Sequence, residues 1–583
     1  MFRYLYISVL TIPLIFAQSK KYEGPEDSAG DIAAEREGYM TGNRVFLYFR
    51  NTTELSDWPK SNVSRRPNNL NGLKMVDGIG LLVGAKVYIK DDPTTRIDST
   101  VVTDKATIEN GEGLHELYYL QTSYREEMDV NPAGTFEYGF YPAFGYFNET
   151  GEYPAMSNRP SSWPTNGWPS VGRETKWPGE WDGRFGRGVI YADMETYFVV
   201  NDAQDQEYLE LPDRVRYYPR KGKKIGDINE DVTIGSGNPW GGLGLRVEAR
   251  GFQWNNPQAR DAIFWEYNIA NISDYDLTEV AFGYWVDNAI GDDGSDELAY
   301  FDTELDMSYS WDINGIGKGG LPTGTMGFAY LESPGVPYDD IDNDKDGLLN
   351  EKRDNVAVNK IGPTDGIHNL QDFLSFYRLT EDDLKEHWDA DEDQDWEDGE
   401  DLNNDGIYSE SEFFGDDIGL DGVAPGELNY TGPDEGEGNH KPDFVEGVGC
   451  EPNFAETDVS ESDMIGLTSF RLFPVPSHSQ SNQTWWFKND QAMWNLIGES
   501  VLEEYIENIS NLIEIFASGP FPLYRGRSER ISMAELHSFD PLEGLNSSSH
   551  TAPSLYELKK IVQVIYEKAV SYTHLRAHET KRN

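Results

Sequence analysis

One cysteine stands in the whole chain, Cys450, so no disulfide can form within it. Outside a reducing compartment, some other device must then hold long loops in place. Basic residues are also scarce: 48 Lys and Arg face 103 Asp and Glu over 583 residues, a formal net charge of -55. A field of that sign repels phosphate backbones, which argues against nucleic acid as a partner, and it attracts divalent cations. The one basic patch, Arg214 to Lys224, carries Arg220, Lys221, Lys223 and Lys224 and reads as a solvated loop. Apolar runs long enough to span a bilayer are missing, so no transmembrane segment is expected.

Several catalytic signals are absent too. The nine histidines are scattered singly, and no H-E-x-x-H, G-x-S-x-G or phosphate-loop G-K-[ST] pattern occurs. Gly78, Gly80 and Gly84 imitate a dinucleotide loop, but a strand-like segment follows where a helix is required. Carboxylate pairs suited to glycoside hydrolysis exist, yet among 103 acids such pairing carries no information. No catalytic residue is assigned.

What is present points to β structure. Aromatic residues make up 13% and hydrophobic residues 38% of the chain, enough for ordered cores. Val45, Leu47 and Phe49 alternate, as do Ala85, Val87 and Ile89, which is the two-residue period of a strand. Ile263, Trp265, Tyr267 and Ile269 alternate again; Asn271 to Asp276 then turns the chain and Val280 to Val286 returns. Short strands with frequent turns and no βαβ rhythm predict a mainly β fold of antiparallel sandwich type. Between Pro154 and Phe185, Trp163, Trp168, Trp177 and Trp181 lie in a Pro-rich stretch that reads as an extended loop. Its rings could stack on sugars or cover the sandwich as a lid, and the lid is the expectation.

The organisation follows. Residues 1–17 read as a signal peptide, with Arg3, an apolar run from Leu5 to Phe16, and Ala17 at the cut; no cysteine follows to carry a lipid anchor. A β-rich region is expected over 18–259, sandwich strands over 260–338, an acidic loop region over 339–456, and a mixed strand and helix segment over 457–570. In that last segment, Asn489 to Phe516 shows helical spacing through Met493, Leu496, Ile497, Val501, Leu502, Tyr505, Ile506 and Ile509, and Arg530 to Leu536 suits a strand. Ser554 and Glu557 form a capping-box pattern before the apolar stripe Leu555, Leu558, Val562 and Ile565. Ser571 to Asn583 resembles a translated sequencing-adapter tail, so the natural chain is expected to continue beyond Val570, and the pair His574 and His578 is set aside with it.

The acidic region carries the only pattern with defined chemistry. Calcium takes six to eight oxygens, and a short loop can supply them at alternate positions. Asp401, Asn403 and Asp405 stand at positions one, three and five; Gly406 turns the chain at six; Ile407 offers a carbonyl at seven, Ser409 stands at nine and Glu412 closes at twelve. A second loop has Asp342, Asp344 and Asp346 before Gly347 and Leu348, but Arg353 at twelve cannot be a ligand. A looser cage drawing on Asp340, Glu351 or Asp354 would complete it. Asp417, Gly419, Asp421 and Gly422, with Asp434, Glu437 and Asp443, make a third fragment. For each, the alternative is a solvated acidic turn.

These loops resemble those of EF-hands, dockerins and thrombospondin type 3 repeats. Over most of residues 25 to 570 the chain is similar to large uncharacterised secreted or surface β proteins of bacteria, often type IX secretion cargo. That resemblance rests on Arg184-Phe-Gly-Arg-Gly188, Val280 to Asp287, Tyr309-Ser-Trp-Asp312 and Ser518-Gly-Pro-Phe521. It implies a modular β architecture and a place outside the cell or on the surface of a Gram-negative bacterium, and it implies no activity. The sequence therefore leads to a secreted calcium-binding structural or adhesive protein. The alternative is a carbohydrate-binding or glycan-degrading protein using the Trp-rich loop. Calcium is the expected cofactor, with extracellular glycans or other surface proteins as further partners.

Overall fold

The computed structural model describes residues 27–56, 64–69, 71–94, 99–124, 137–169, 177, 192–203, 241–273, 275–292, 296–336, 339–351, 360–376, 379–384, 387–388, 418–420, 422–425, 430–433, 437–438, 444–445, 449–450, 463–474, 489–503, 511–540 and 551–567. The chain divides into two compact units. One comprises Met1–Lys21, Phe185–Gly188 and Pro337–Asp463; the other comprises Tyr22–Arg184, Val189–Val336 and Met464–Asn583.

The second unit is an antiparallel β-sandwich. Its first sheet runs through Glu37–Met40, Phe46–Arg50, Glu54–Leu55, Val76–Asp91, Leu277–Asn288, Leu512–Leu523 and Ser469–Pro474, with Ser64–Arg65, Ser99–Val102 and Leu114–Thr122 pairing beside that path. The second sheet runs through Glu297–Asp302, Met307–Asp312, Thr325–Glu332, Ser528–Ser538, Ala262–Asn271, Leu245–Gln253, Met194–Asn201 and Tyr141–Pro142. Strands from 18–259, 260–338 and 457–570 thus share the same two sheets.

Alternation builds the layers. Along Val76–Asp91, Ile79, Leu81, Val83, Ala85, Val87 and Ile89 point into the core between the sheets, where they meet Val247, Trp265, Tyr267 and Phe328. Leu82 points the other way, into a cluster with Trp285, Ile515, Met493, Trp494 and Ile497. That outer face carries the helix Asp490–Ile497, capped by the Asn489 side chain on the Ala492 N–H at 3.0 Å. Gly84 leaves room for it, since a Cβ there would stand 2.6 Å from Ile497 Cδ1. The outer face of the second sheet is covered by the helix Pro553–Glu567 through Leu555, Val562, Ile565 and Tyr566, packed on Phe264, Trp311 and Leu536. The order is helix, sheet, sheet, helix. Each fully buried Leu, Ile or Phe in these layers contributes about 1.5–3 kcal/mol.

Three local expectations need correction. The helix from Asn489 ends at Gly498, whose N–H returns to Trp494 O at 2.7 Å, and Leu512–Leu523 is a strand. Tertiary pairing with Leu277–Asn288 decides this, because Leu512, Ile513, Ile515 and Phe516 suit either period. Ser554 does not cap the last helix: the helix opens at Pro553, and the Ser554 N–H is met by Asp540 Oδ1 at 2.6 Å. Finally, Asn271 to Asp276 joins no hairpin. Ala262–Asn271 lies in the second sheet and Leu277–Asn288 in the first, so the turn carries the chain between layers. Asn271 fixes that crossing by donating from Nδ2 to Tyr275 O and Leu523 O, both at 3.0 Å.

The signal peptide, the basic patch, Trp181, and the adapter-like tail with His574 and His578 lie outside the described residues. Among the described residues, no helix is long and apolar enough to cross a membrane.

Candidate metal centre

The first unit contains the second of the three acidic loops. Short polar side chains shape it locally. Asp342 accepts the N–H groups of Asp346 at 3.2 Å and Gly347 at 3.1 Å, and Asp346 Oδ1 accepts the Leu348 N–H at 2.9 Å. Gly347 sits at φ 96°, a left-handed angle that glycine adopts without strain; a Cβ there would also stand 2.5 Å from Asn369 O. Lys345 and Asn350 turn through left-handed angles of 59° and 57°. The loop is braced from one side. Gly347 O accepts the Asn369 N–H at 2.9 Å at the start of the helix Leu370–Phe376, and Leu348 packs on Phe373 with Ile367, Leu374, Leu379 and Leu384 around them.

Five carboxylates converge on this loop. Asp342, Asp344 and Asp463 each bring one oxygen within 4.8 Å of the others, and so do Asp344, Asp346 and Glu351. Asp344 belongs to both groups. Asp346 and Asp463 have no exposed surface and Glu351 has 2%, while Asp342 and Asp344 are half-buried. Asp463 comes from far along the chain. Its carboxylate accepts the N–H groups of Asn343 at 2.7 Å and Asn350 at 3.0 Å, and its own N–H donates to Glu351 O at 3.1 Å.

At Asp342 and Asp463 the surroundings oppose the ionised state. Burial lifts Asp463 to about 6, and the Asn343 and Asn350 N–H groups only partly offset that. Burial also raises Asp342, with the Asp346 charge adding to it. Two like charges 4.8 Å apart repel by about 3.5 kcal/mol at an effective dielectric of about 20. A cation among them turns that repulsion into attraction. All the converging side-chain donors are oxygens, which suits a hard cation and not zinc.

Of the residues expected from sequence, Asp342, Asp344 and Asp346 are brought together and Glu351 joins them. Leu348 is in the loop, with its side chain in the small apolar cluster and its N–H on Asp346. Asp340 stands aside from the two groups, exchanging hydrogen bonds of 3.1 Å with the Asn350 side chain. Arg353 and Asp354 lie outside the described residues. Asp463 was missed by sequence reasoning, since no spacing rule reaches an acid more than a hundred residues beyond its loop.

The best-formed loop by sequence, with Asp401, Asn403, Asp405, Ile407, Ser409 and Glu412, also lies outside the described residues. So do Asp417, Asp421, Asp434 and Asp443 of the third fragment. Of the rest, Gly419 and Gly422 form a turn closed by a 3.2 Å hydrogen bond, and Glu437 accepts the Tyr430 hydroxyl at 2.7 Å.

The tryptophan stretch belongs to the sandwich unit. Trp168 has no exposed surface and packs on Tyr197 and Val199 of the second sheet, with Trp163 and Trp177 half-buried beside it. The Trp168 and Trp177 rings meet edge to face at 5.4 Å. Among the described tryptophans of this stretch, the rings therefore cover the sheet.

The chain thus contains an antiparallel β-sandwich unit and, in its other unit, an acidic loop whose converging side-chain donors are all oxygens. No protein-family model matches the chain, and no curated protein is significantly similar to it.

Proposed function

We propose that this chain is a secreted, calcium-binding structural or adhesive cell-surface protein in which calcium orders the acidic segment. The observation that carries the reading is the convergence of Asp342, Asp344, Asp346, Glu351 and Asp463, three of them buried. Buried carboxylates at this spacing are held together best by a divalent cation. Export is supported by the apolar N-terminal stretch with its single preceding arginine. In the extracellular class of sites, calcium binds at about 0.1 to 1 mM. One ion at ten times its dissociation constant stabilises by about 1.4 kcal/mol, so several such loops together decide whether the segment is ordered.

Melting the full chain in calcium and in excess chelator tests this. The midpoint of the acidic unit rises in calcium, and calcium titrates saturably. An unchanged midpoint with no titratable calcium refutes the proposal. Asp401→Ala with Asp405→Ala removes calcium from the other loop and leaves the sandwich folded.

A further inference from the structure

The sandwich unit gathers three arginines around a single carboxylate, and the calcium reading leaves them unused. Main-chain pairing puts them there. The strands Ala262–Asn271 and Ser528–Ser538 lie side by side with Ala262 opposite Leu536, so Arg260 and Asp261 before the first meet Phe539 and Asp540 after the second. The Arg44 N–H donates to Arg260 O at 3.0 Å, and the Asn68 N–H donates to Arg44 O at 2.7 Å, which brings in the segment that carries Arg66. Arg66 in turn exchanges backbone hydrogen bonds of 3.1 and 3.2 Å with Leu73. The charged side chains therefore rise from a hydrogen-bonded framework.

Their charges do not balance. Among the described residues, every ion pair of Arg44, Arg66 and Arg260 goes to Asp261. Arg66 takes Oδ1, donating from Nε at 3.2 Å and from Nη2 at 3.1 Å. Oδ2 is left for two guanidiniums, Arg44 Nη1 at 3.4 Å and Arg260 Nε at 4.0 Å, the latter beyond hydrogen-bond reach. Asp540 also acts on Arg66, but its own oxygens accept the Ser554 N–H at 2.6 Å and the Ser538 hydroxyl. Three guanidiniums thus face two carboxylates, a positive excess in a chain of net charge -55. Two of their nitrogens, Arg66 Nη1 and Arg260 Nε, are buried without an acceptor. Burial opposes the Arg66 charge, Asp261 supports it, and Arg44 opposes it again. The other two forks reach solvent, since the side chains of Arg44 and Arg260 are 48% and 36% exposed. Beside them Phe539 is half exposed, with the Arg66 guanidinium 4.0 Å from its ring centre. That stacking fixes the plane of the buried fork.

We propose that Arg44, Arg66 and Arg260 form a binding site for the tetrahedral oxyanion of a sulfate or phosphate ester, with Phe539 against the group that carries it. Arg44 and Arg260 hold the ester oxygens, and Arg66 supplies positive charge behind them. The oxyanion cancels the local excess and offers acceptors to guanidinium donors that Asp261 cannot satisfy. A neutral ligand does neither.

The test is calorimetric titration of the full chain with phenyl sulfate, phenyl phosphate and phenol. The better of the two esters binds at least about tenfold more tightly than phenol, and Arg44→Gln and Arg260→Gln each weaken it by about tenfold, as expected for a lost charge-assisted pair. Which ester binds better names the source, a sulfated or a phosphorylated ligand, and either order upholds the site. Both replaced side chains reach solvent, so these variants decide the matter even if Arg66→Gln does not fold. Asp344→Asn keeps its ester affinity, which separates this site from the calcium loop. Absence of ester binding, affinities equal to that of phenol, or unchanged affinity in either Arg44→Gln or Arg260→Gln overturns the proposal. Loss of ester binding in Asp344→Asn would place the anion on bound calcium and overturn it as well.

Discussion

Replacing Asp463 with Asn separates the two parts of the metal account. In the cation-free protein, burial raises the carboxyl from 3.8 to about 6. At about 1.4 kcal/mol per pH unit, holding it ionised at neutral pH costs at most ~3 kcal/mol. Solvent reaching the half-buried Asp342 and Asp344 screens the cluster, which leaves about 2 kcal/mol. The amide removes that term but keeps one oxygen for the two N–H groups of Asn343 and Asn350, so about 1 kcal/mol is lost again. Without calcium, Asp463→Asn is therefore more stable in this loop by about 1 kcal/mol. With calcium the balance changes. Losing one charged ligand weakens the site by about tenfold, so calcium set at ten times the original dissociation constant stabilises the variant by about 0.4 kcal/mol in place of about 1.4. Hydrogen exchange of the Leu348 and Asn369 amides reads both effects, because both N–H groups are bonded inside the loop and its brace. Calcium slows their exchange about elevenfold in the original chain and about twofold in the variant. An unchanged calcium increment, or a variant less protected in chelator, refutes the reasoning.

Two other predictions follow from the same structure. Asp463 and Asp342 both have folded-state values above the ordinary carboxylate range, so without a cation folding favours their protonated forms. The stability Asp463 contributes is present below about pH 4 and is lost as pH rises through about 6, and Asp342 acts in the same direction. Loop protection in chelator should fall across that window, while calcium affinity should weaken as pH drops below 6; titrations at pH 5 and 7.5 check both. Trp168→Ala should destabilise the sandwich by about 3–5 kcal/mol, read by denaturant unfolding, because the ring has no exposed surface. It should leave the calcium increment at Leu348 unchanged.

How much was legible in the sequence depends on how locally each feature is encoded. The strands at Val45 to Phe49, Ala85 to Ile89 and Ile263 to Ile269 announce themselves because one face of each fills the core between the sheets. The stretch from Asn489 to Phe516 misleads because its second half also feeds a cluster beneath the helix, so apolar residues crowd both faces of the strand and erase the two-residue period. The loop from Asp342 to Leu348 is legible because its carboxylates cap neighbouring N–H groups within five residues. Asp463 is not, because only the folded chain places it there.

Asp344 is shared by both carboxylate groups, so it offers the most direct test of the central claim. Equilibrium dialysis with radioactive calcium counts the ions bound to the full chain and to Asp344→Asn at pH 7.5. The account predicts saturable binding to the original chain and at least one ion fewer in the variant. Equal counts in the two proteins would contradict it.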